Sequence, residues 1–199
     1  MHALIFLGGE FAALRRPLPE ADTVIAADRG WDNAVKNGVT PDILVGDMDS
    51  IDRLPHAAEI IRVPAVKDET DAQLALRIAA DRGADRITLA GRLSGRADHT
   101  LSVIFMLEAL KKENIACEII DDVNRVRLLE NESVFVTGEY KYFGLLSLGT
   151  STVSVSSCRY PLENAVLRRD DPYAVSNEAE GDGARITVSG DPVILVESD

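Results

Sequence analysis

The sequence predicts an α/β domain followed by a smaller all-β domain, and three observations carry this. Up to about residue 125, short apolar runs alternate with stretches of helical periodicity. Beyond it the helical period disappears, and short strand-like runs follow one another between turn residues. A length of 199 residues with 46% hydrophobic content is enough for two packed cores.

In the first part the apolar runs are 3–7, 23–27, 43–45, 60–63, 87–90 and 117–120. They are continuous rather than alternating, as expected of strands covered on both faces. Helical patterns lie between them at 30–37, 71–82 and 100–112, the first closed by Asn37-Gly38 and the second by Gly83. In the second of these, Leu74, Ala75, Ile78 and Ala79 form an apolar stripe. Thr70 followed by Gln73 reads as a capping box that sets Asp71 in its first turn. Asp98 or Thr100 is expected to cap the third helix. The alternation predicts an open, mostly parallel sheet with helices on both faces.

The second part offers strand candidates at 134–136, 145–148, 152–155, 165–167, 184–188 and 193–196, separated by Gly138, Gly149, Asn164, Gly181, Gly183 and Gly190. This is the pattern of a small β-sandwich or barrel. The boundary falls near 125–132, dividing 1–128 from 129–199.

Composition excludes several classes. A net charge of −12 argues against a general binder of nucleic acid, which would carry a basic face. No apolar run approaches the roughly 18 residues of a membrane-spanning helix. The run 3–7 is too short for a signal-peptide core and lacks a charged lead-in, so a cytoplasmic protein is expected. Cys117 and Cys158 are far apart and fit neither a disulfide framework nor a zinc site; they read as ordinary buried thiols.

In an open α/β sheet ligands bind beyond the carboxyl ends of the strands, so the residues after each apolar run carry the chemistry. Four such stretches are rich in it: Asp28-Arg29-Gly30; Asp47-Met48-Asp49-Ser50; Lys67-Asp68-Glu69-Thr70-Asp71; and GRLSGRADH, 91–99. In PDILVGDMDSI, 41–51, Gly46 lets the chain turn so that Asp47 and Asp49 point the same way, a pair of hard oxygen ligands suited to Mg²⁺. An EF-hand is excluded, because Ile51 and Asp52 stand where a ligand and the glycine belong. Arg92 and Arg96 suit forked hydrogen bonding of phosphate oxygens, and His99 either touches phosphate or fills the helix start. Neither a Walker loop, nor a GxGxxG fingerprint at Gly8-Gly9, nor a GxSxG elbow is present. Bases beside several acids fit metal-assisted phosphoryl chemistry.

Taken in order, ADRG (27–30), PDILVGDMDS (41–50), KDETDAQLAL (67–76), GRADH (95–99), Tyr160-Pro161-Leu162 and Ser176-Asn177-Glu178 closely resemble the bacterial thiamine pyrophosphokinases. That resemblance covers nearly the whole chain. It implies an α/β catalytic domain that binds ATP and Mg²⁺, a thiamine-binding β-sandwich, a homodimer with an active site shared between subunits, and transfer of pyrophosphate from ATP to thiamine. It casts Asp47, Asp49 and Asp71 as Mg²⁺ ligands with Asp68 and Thr70 beside them. Lys67, Arg96 and Asp98 would hold and polarise the phosphates, Asp28, Arg29 and Gly30 would line the nucleotide cleft, and Ser176 and Asn177 would face thiamine. Asp98 or Asp71 would orient the attacking hydroxyl. The chain departs from the family pattern at Ser94 and Cys158, where glycines are usual, and at Ala179, where an aromatic residue is usual. Two rival readings are a pyrophosphokinase acting on another hydroxymethyl heterocycle, such as a pterin, and a nucleotide-binding regulatory module without chemistry.

Overall fold

The computed structural model describes residues 1–9, 13–48, 59–63, 69–91, 93 and 95–199. The chain forms two compact units, Met1–Asp122 and Val123–Asp199.

The first unit holds β1 (His2–Phe6), β2 (Thr23–Ala27), α1 (Gly30–Lys36), β3 (Ile43–Gly46), β4 (Glu59–Arg62), α2 (Asp71–Asp81), β5 (Arg86–Ala90), α3 (Ala97–Lys112) and β6 (Ala116–Ile120). The strands are parallel, in the order β4-β3-β2-β1-β5-β6. The chain thus steps outward from β1 to β4, returns to lay β5 on the other side of β1, and steps outward again. With right-handed crossovers, that reversal puts α1 on one face and α2 and α3 on the other.

Side-chain burial follows this arrangement. Leu4 and Phe6 of β1 pack with Ala34 of α1. Their neighbours Ala3 and Ile5, on the opposite pleat, are also fully buried. The helix α2 buries Leu74, Ala75, Leu76, Ile78 and Ala79 and contacts β1, β2 and β3. Burial on both faces is why these strands read as continuous apolar runs.

At Gly30 the fit leaves no room for a side chain. A Cβ there would lie 1.9 Å from the Phe6 carbonyl oxygen, so the start of α1 rests directly on the end of β1.

Two local readings hold and one changes. The Thr70–Gln73 capping box is formed in both directions: Gln73 N–H donates to Thr70 Oγ1 (3.2 Å) and Thr70 N–H donates to Gln73 Oε1 (2.9 Å). The cap of α1 falls at Asn37, as the Asn-Gly pair suggests. The third helix, however, begins at Ala97 with Arg96 as its N-cap residue, so neither Asp98 nor Thr100 caps it. The reason is that Asp98 already lies in the first turn, where Arg96 engages its carboxylate.

The second unit is all-β: β7 (Asn124–Leu129), β8 (Ser133–Val136), β9 (Tyr142–Ser147), β10 (Thr150–Ser156), β11 (Leu162–Arg168), β12 (Ala184–Gly190) and β13 (Val193–Ser198). One antiparallel set runs β7-β13-β9 and the other β11-β10-β12-β8. One core joins them: Leu129, Leu145, Val193 and Leu195 come from the first set, and Val136, Val153, Val155, Ile186 and Val188 from the second. This is a β-sandwich, and β10 and β12 alternate buried and exposed residues as its period requires.

Strand β7 has no counterpart among the strands expected from sequence. Its Arg125 and Arg127 both bind Glu197 of β13, which is fully buried. Arg125 Nε and Nη2 donate at 2.8 and 2.7 Å and Arg127 Nη2 at 3.0 Å, while the Arg125 guanidinium stacks over the Tyr140 ring.

Candidate active site

The reversal of strand order between β1 and β5 opens a crevice beyond their carboxyl ends, the place where an α/β sheet binds its ligand. A cavity of about 620 Å³ lies there, within the usual range for a small-molecule site. Three strand ends supply Leu7, Gly8 and Gly9 after β1, Asp28 after β2, and Gly91, Leu93, Gly95 and Arg96 after β5. Thr70 and Asp71 at the start of α2, and His99 and Thr100 in the first turns of α3, complete the polar part of the wall. Both helices therefore present their N-terminal ends to the cavity, and those ends favour anions.

Asp28 stands in the left-handed region (φ 49°), and its N–H donates to Val45 O at 2.7 Å. That bond ties the end of β2 to the end of β3, from which Asp47 emerges. Gly46 makes the approach close, since a Cβ on it would meet the Asp28 Cα at 3.3 Å. Met48 and Ser176, each beside an expected site residue or one itself, also have positive φ (66° and 58°). Such backbone costs about 1–3 kcal/mol per residue and gathers at sites whose surroundings enforce it.

Arg96 and Asp98 form a forked pair, Nη2 to Oδ2 at 2.6 Å and Nε to Oδ1 at 3.2 Å, and Asp98 Oδ1 also accepts the His99 N–H at 3.0 Å. The hydrogen bond from Arg96 holds the Asp98 carboxyl below the usual carboxylate range, and Asp98 in turn raises the guanidinium. Both side chains are largely exposed, so the pair is screened and open to exchange with a ligand's oxygens.

Of the expected residues, the structure brings Asp28, Thr70, Asp71, Arg96 and His99 to one cavity. Asp47 follows β3, the neighbour of β2, and Arg29 and Gly30 form the turn and start of α1; these three and Asp98 do not line the cavity. Asp49, Lys67 and Asp68, like Arg92 and Ser94, lie outside the described residues. Among the described residues no group of three acidic, histidine or cysteine side chains is gathered for a metal ion. The donor chemistry of Asp47 and Asp71, hard oxygens after β3 and at the cavity wall, suits a divalent cation such as Mg²⁺.

In the second unit Ser176 is exposed and Asn177 is buried. The Asn177 amide is fully engaged. Its Nδ2 donates to Tyr160 O (2.8 Å) and Cys158 Sγ (3.5 Å), and its Oδ1 accepts from Tyr160 N–H (3.0 Å) and Glu178 N–H (2.9 Å). Its backbone pairs with Phe143 in both directions. Asn177 therefore fixes the backbone that carries Ser176 and the exposed Tyr160.

Sequence reasoning passed over two contributors. Gly8 and Gly9 match no fingerprint, yet their place straight after the first strand was the available signal. Asp121, 6% exposed, follows β6, an apolar run whose carboxyl end carries no recognised motif; its Oδ2 accepts the Leu93 N–H at 3.0 Å.

Comparison with known proteins agrees with this fold. Residues 14–119 match the thiamin pyrophosphokinase catalytic domain, and residues 127–194 match the thiamin pyrophosphokinase vitamin B1 binding domain. The thiamine pyrophosphokinase of Bacillus subtilis is 31% identical over 170 residues, 77% of each chain. A crystal structure of thiamine pyrophosphokinase from Bacillus subtilis superposes with a TM-score of 0.88 at 24% identity, covering 100% of this chain and 99% of that one. Thiamin pyrophosphokinase from Candida albicans gives 0.74 at 16% identity, covering 100% and 89%, and at these identities the likeness bears on the fold. The matched catalytic domain spans more than half of the sequence, so that, with the 31% identical relative, the chain belongs to the thiamine pyrophosphokinase family.

Proposed function

We propose that the protein catalyses transfer of the pyrophosphoryl group of ATP to the primary hydroxyl of thiamine, giving thiamine diphosphate and AMP. Family membership makes it a transferase, a thiamine diphosphokinase. The observation that carries the detailed reading is the cavity at the strand reversal, where carboxylates, an arginine and two helix N-termini converge.

The hydroxyl oxygen attacks the β-phosphorus in line, its proton passes to a base or to water, and AMP leaves with the electrons of the broken P–O bond. Phosphoryl chemistry asks the protein mainly for position and charge. Arg96 would exchange its fork with Asp98 for phosphate oxygens, with His99, Thr70 and the amide groups of α2 and α3 beside it. Asp28, Arg29 and Gly30 would border the nucleotide. Asp98, released from Arg96, or Asp71 would orient the hydroxyl. Asp47, Asp49 and Asp71 would hold Mg²⁺, which when bound neutralises phosphate charge. Lys67, with Arg96 and Asp98, would hold and polarise the phosphates, and Asp68 and Thr70 would stand beside the metal ligands. Ser176 would face thiamine, with Asn177 as the residue that positions it. The first unit would thus be the nucleotide side and the second the acceptor side, and two copies of the chain would complete each other's site in a homodimer. A cytoplasmic place fits a chain in which, among the described residues, no helix is long and apolar enough to cross a membrane.

Incubation with Mg-ATP and thiamine, followed by resolution of the nucleotides, tests the reading: AMP forms in step with thiamine diphosphate. ADP as the stoichiometric product, turnover with a pterin alone, or binding without turnover would overturn it.

A further inference from the structure

The segment between β5 and α3 delivers Gly91, Leu93, Gly95 and Arg96 to the cavity wall, and two of these are fastened to the end of β6. Gly91 N–H donates to Ile120 O at 3.0 Å, and Leu93 N–H donates to Asp121 Oδ2 at 3.0 Å, across 28 residues of sequence. The first is the ordinary continuation of the β5–β6 ladder. The second is a bond from backbone to a carboxylate that is 6% exposed. A charged acceptor so buried makes a stronger and better directed bond than a neutral one. Asp121 is not among the residues lining the cavity, whereas Leu93, which it holds, is.

We propose that Asp121 is a positioning residue for the phosphate-binding arm: by holding the Leu93 N–H it sets where Gly95 and Arg96 stand at the cavity wall. This rests on the reading that the cavity takes the nucleotide.

The test compares Asp121→Ala, Asp121→Asn and Asp121→Glu with the wild type, measuring Mg-ATP binding by calorimetry, KM for ATP and for thiamine separately, and the melting temperature. Removal of the acceptor in D121A should raise the ATP KM and Kd about tenfold, the scale of one lost bond to a charged group. The thiamine KM should stay within about twofold of the wild type, since only the nucleotide side is displaced. D121N keeps an oxygen for Leu93 N–H and should stay within about threefold of the wild type in ATP KM. D121E keeps the charge but moves the oxygens by one methylene, and it should behave like D121A; it decides the matter if D121A does not fold. Wild-type ATP KM in both D121A and D121E would overturn the proposal, as would a loss shared in full by D121N or by the thiamine KM. Failure of the wild type to bind Mg-ATP would instead remove the nucleotide reading, and the proposal with it.

Discussion

Asp71 occupies the first turn of α2 and the cavity wall together, and the two roles separate experimentally. Asp71→Asn should lower kcat by orders of magnitude, because a lost ligand or hydroxyl-orienting group weakens the transition state. Its effect on stability should stay within about 1 kcal/mol, the usual value of a helix-dipole charge, as read from a melting curve. Asp98 offers a titration instead. Because Arg96 lowers its folded pKa, the folded state binds that proton more weakly than the unfolded chain does. The contribution is therefore complete above the ordinary carboxylate range and disappears only as pH falls through the lowered folded value. Across neutral pH the pair is constant. Carboxyl NMR should place the Asp98 midpoint below that of an ordinary aspartate and return it in Arg96→Gln; an unshifted wild-type midpoint would count against the pair. Burial pushes the thiols of both Cys117 and Cys158 up, so iodoacetamide at neutral pH should leave both unmodified in the folded protein, as mass spectrometry would read.

At the scale of elements, the helices of the first unit were legible because their stop and start chemistry is local: Asn37-Gly38, Gly83, and Thr70 with Gln73. Thr70→Ala should cost about 1 kcal/mol in denaturant unfolding, the usual value of a lost N-cap. The start of α3 was read three residues late because Asp98 is a favoured cap type, and nothing local reveals that Arg96 takes its carboxylate. Strand β7, Asn-Arg-Val-Arg-Leu-Leu, was missed for a related reason. Two arginines in six residues look like a solvated turn until Glu197, about 70 residues away, supplies the buried partner. Glu197→Ala should cost about 3–5 kcal/mol, since it leaves two guanidinium groups facing a site built for a carboxylate. Both arginines retain some exposure, which favours the lower end of that range. Retention of wild-type stability would mean the network contributes nothing to the sheet.

For the whole molecule, a sheet that reverses direction beside its first strand collects chemistry from segments far apart in sequence. That is why residues as distant as Asp28, Asp71 and Arg96 could be grouped from strand ends alone, and why they line one cavity. Gly8, Gly9 and Asp121 escaped because their roles are set by position in that sheet rather than by a motif. The acidic balance of the chain, −12 overall, makes a bound cation the natural complement of a polyphosphate. Chelation with EDTA should abolish turnover, and added Mg²⁺ should restore it without a change in far-ultraviolet circular dichroism. Turnover that survives chelation would remove the metal from the reading.

The saturation of the Asn177 amide has a consequence for redesign. A residue whose donors and acceptors are all occupied by its own scaffold has nothing to offer a new ligand, and a replacement that lacks the side-chain oxygen unfastens the Tyr160 and Glu178 N–H groups together. Under the proposed reading, in which this segment faces the acceptor, variation in which molecules the protein accepts is written into its neighbours, Ser176, Glu178 and Ala179, around a position that selection or a library should find hard to change.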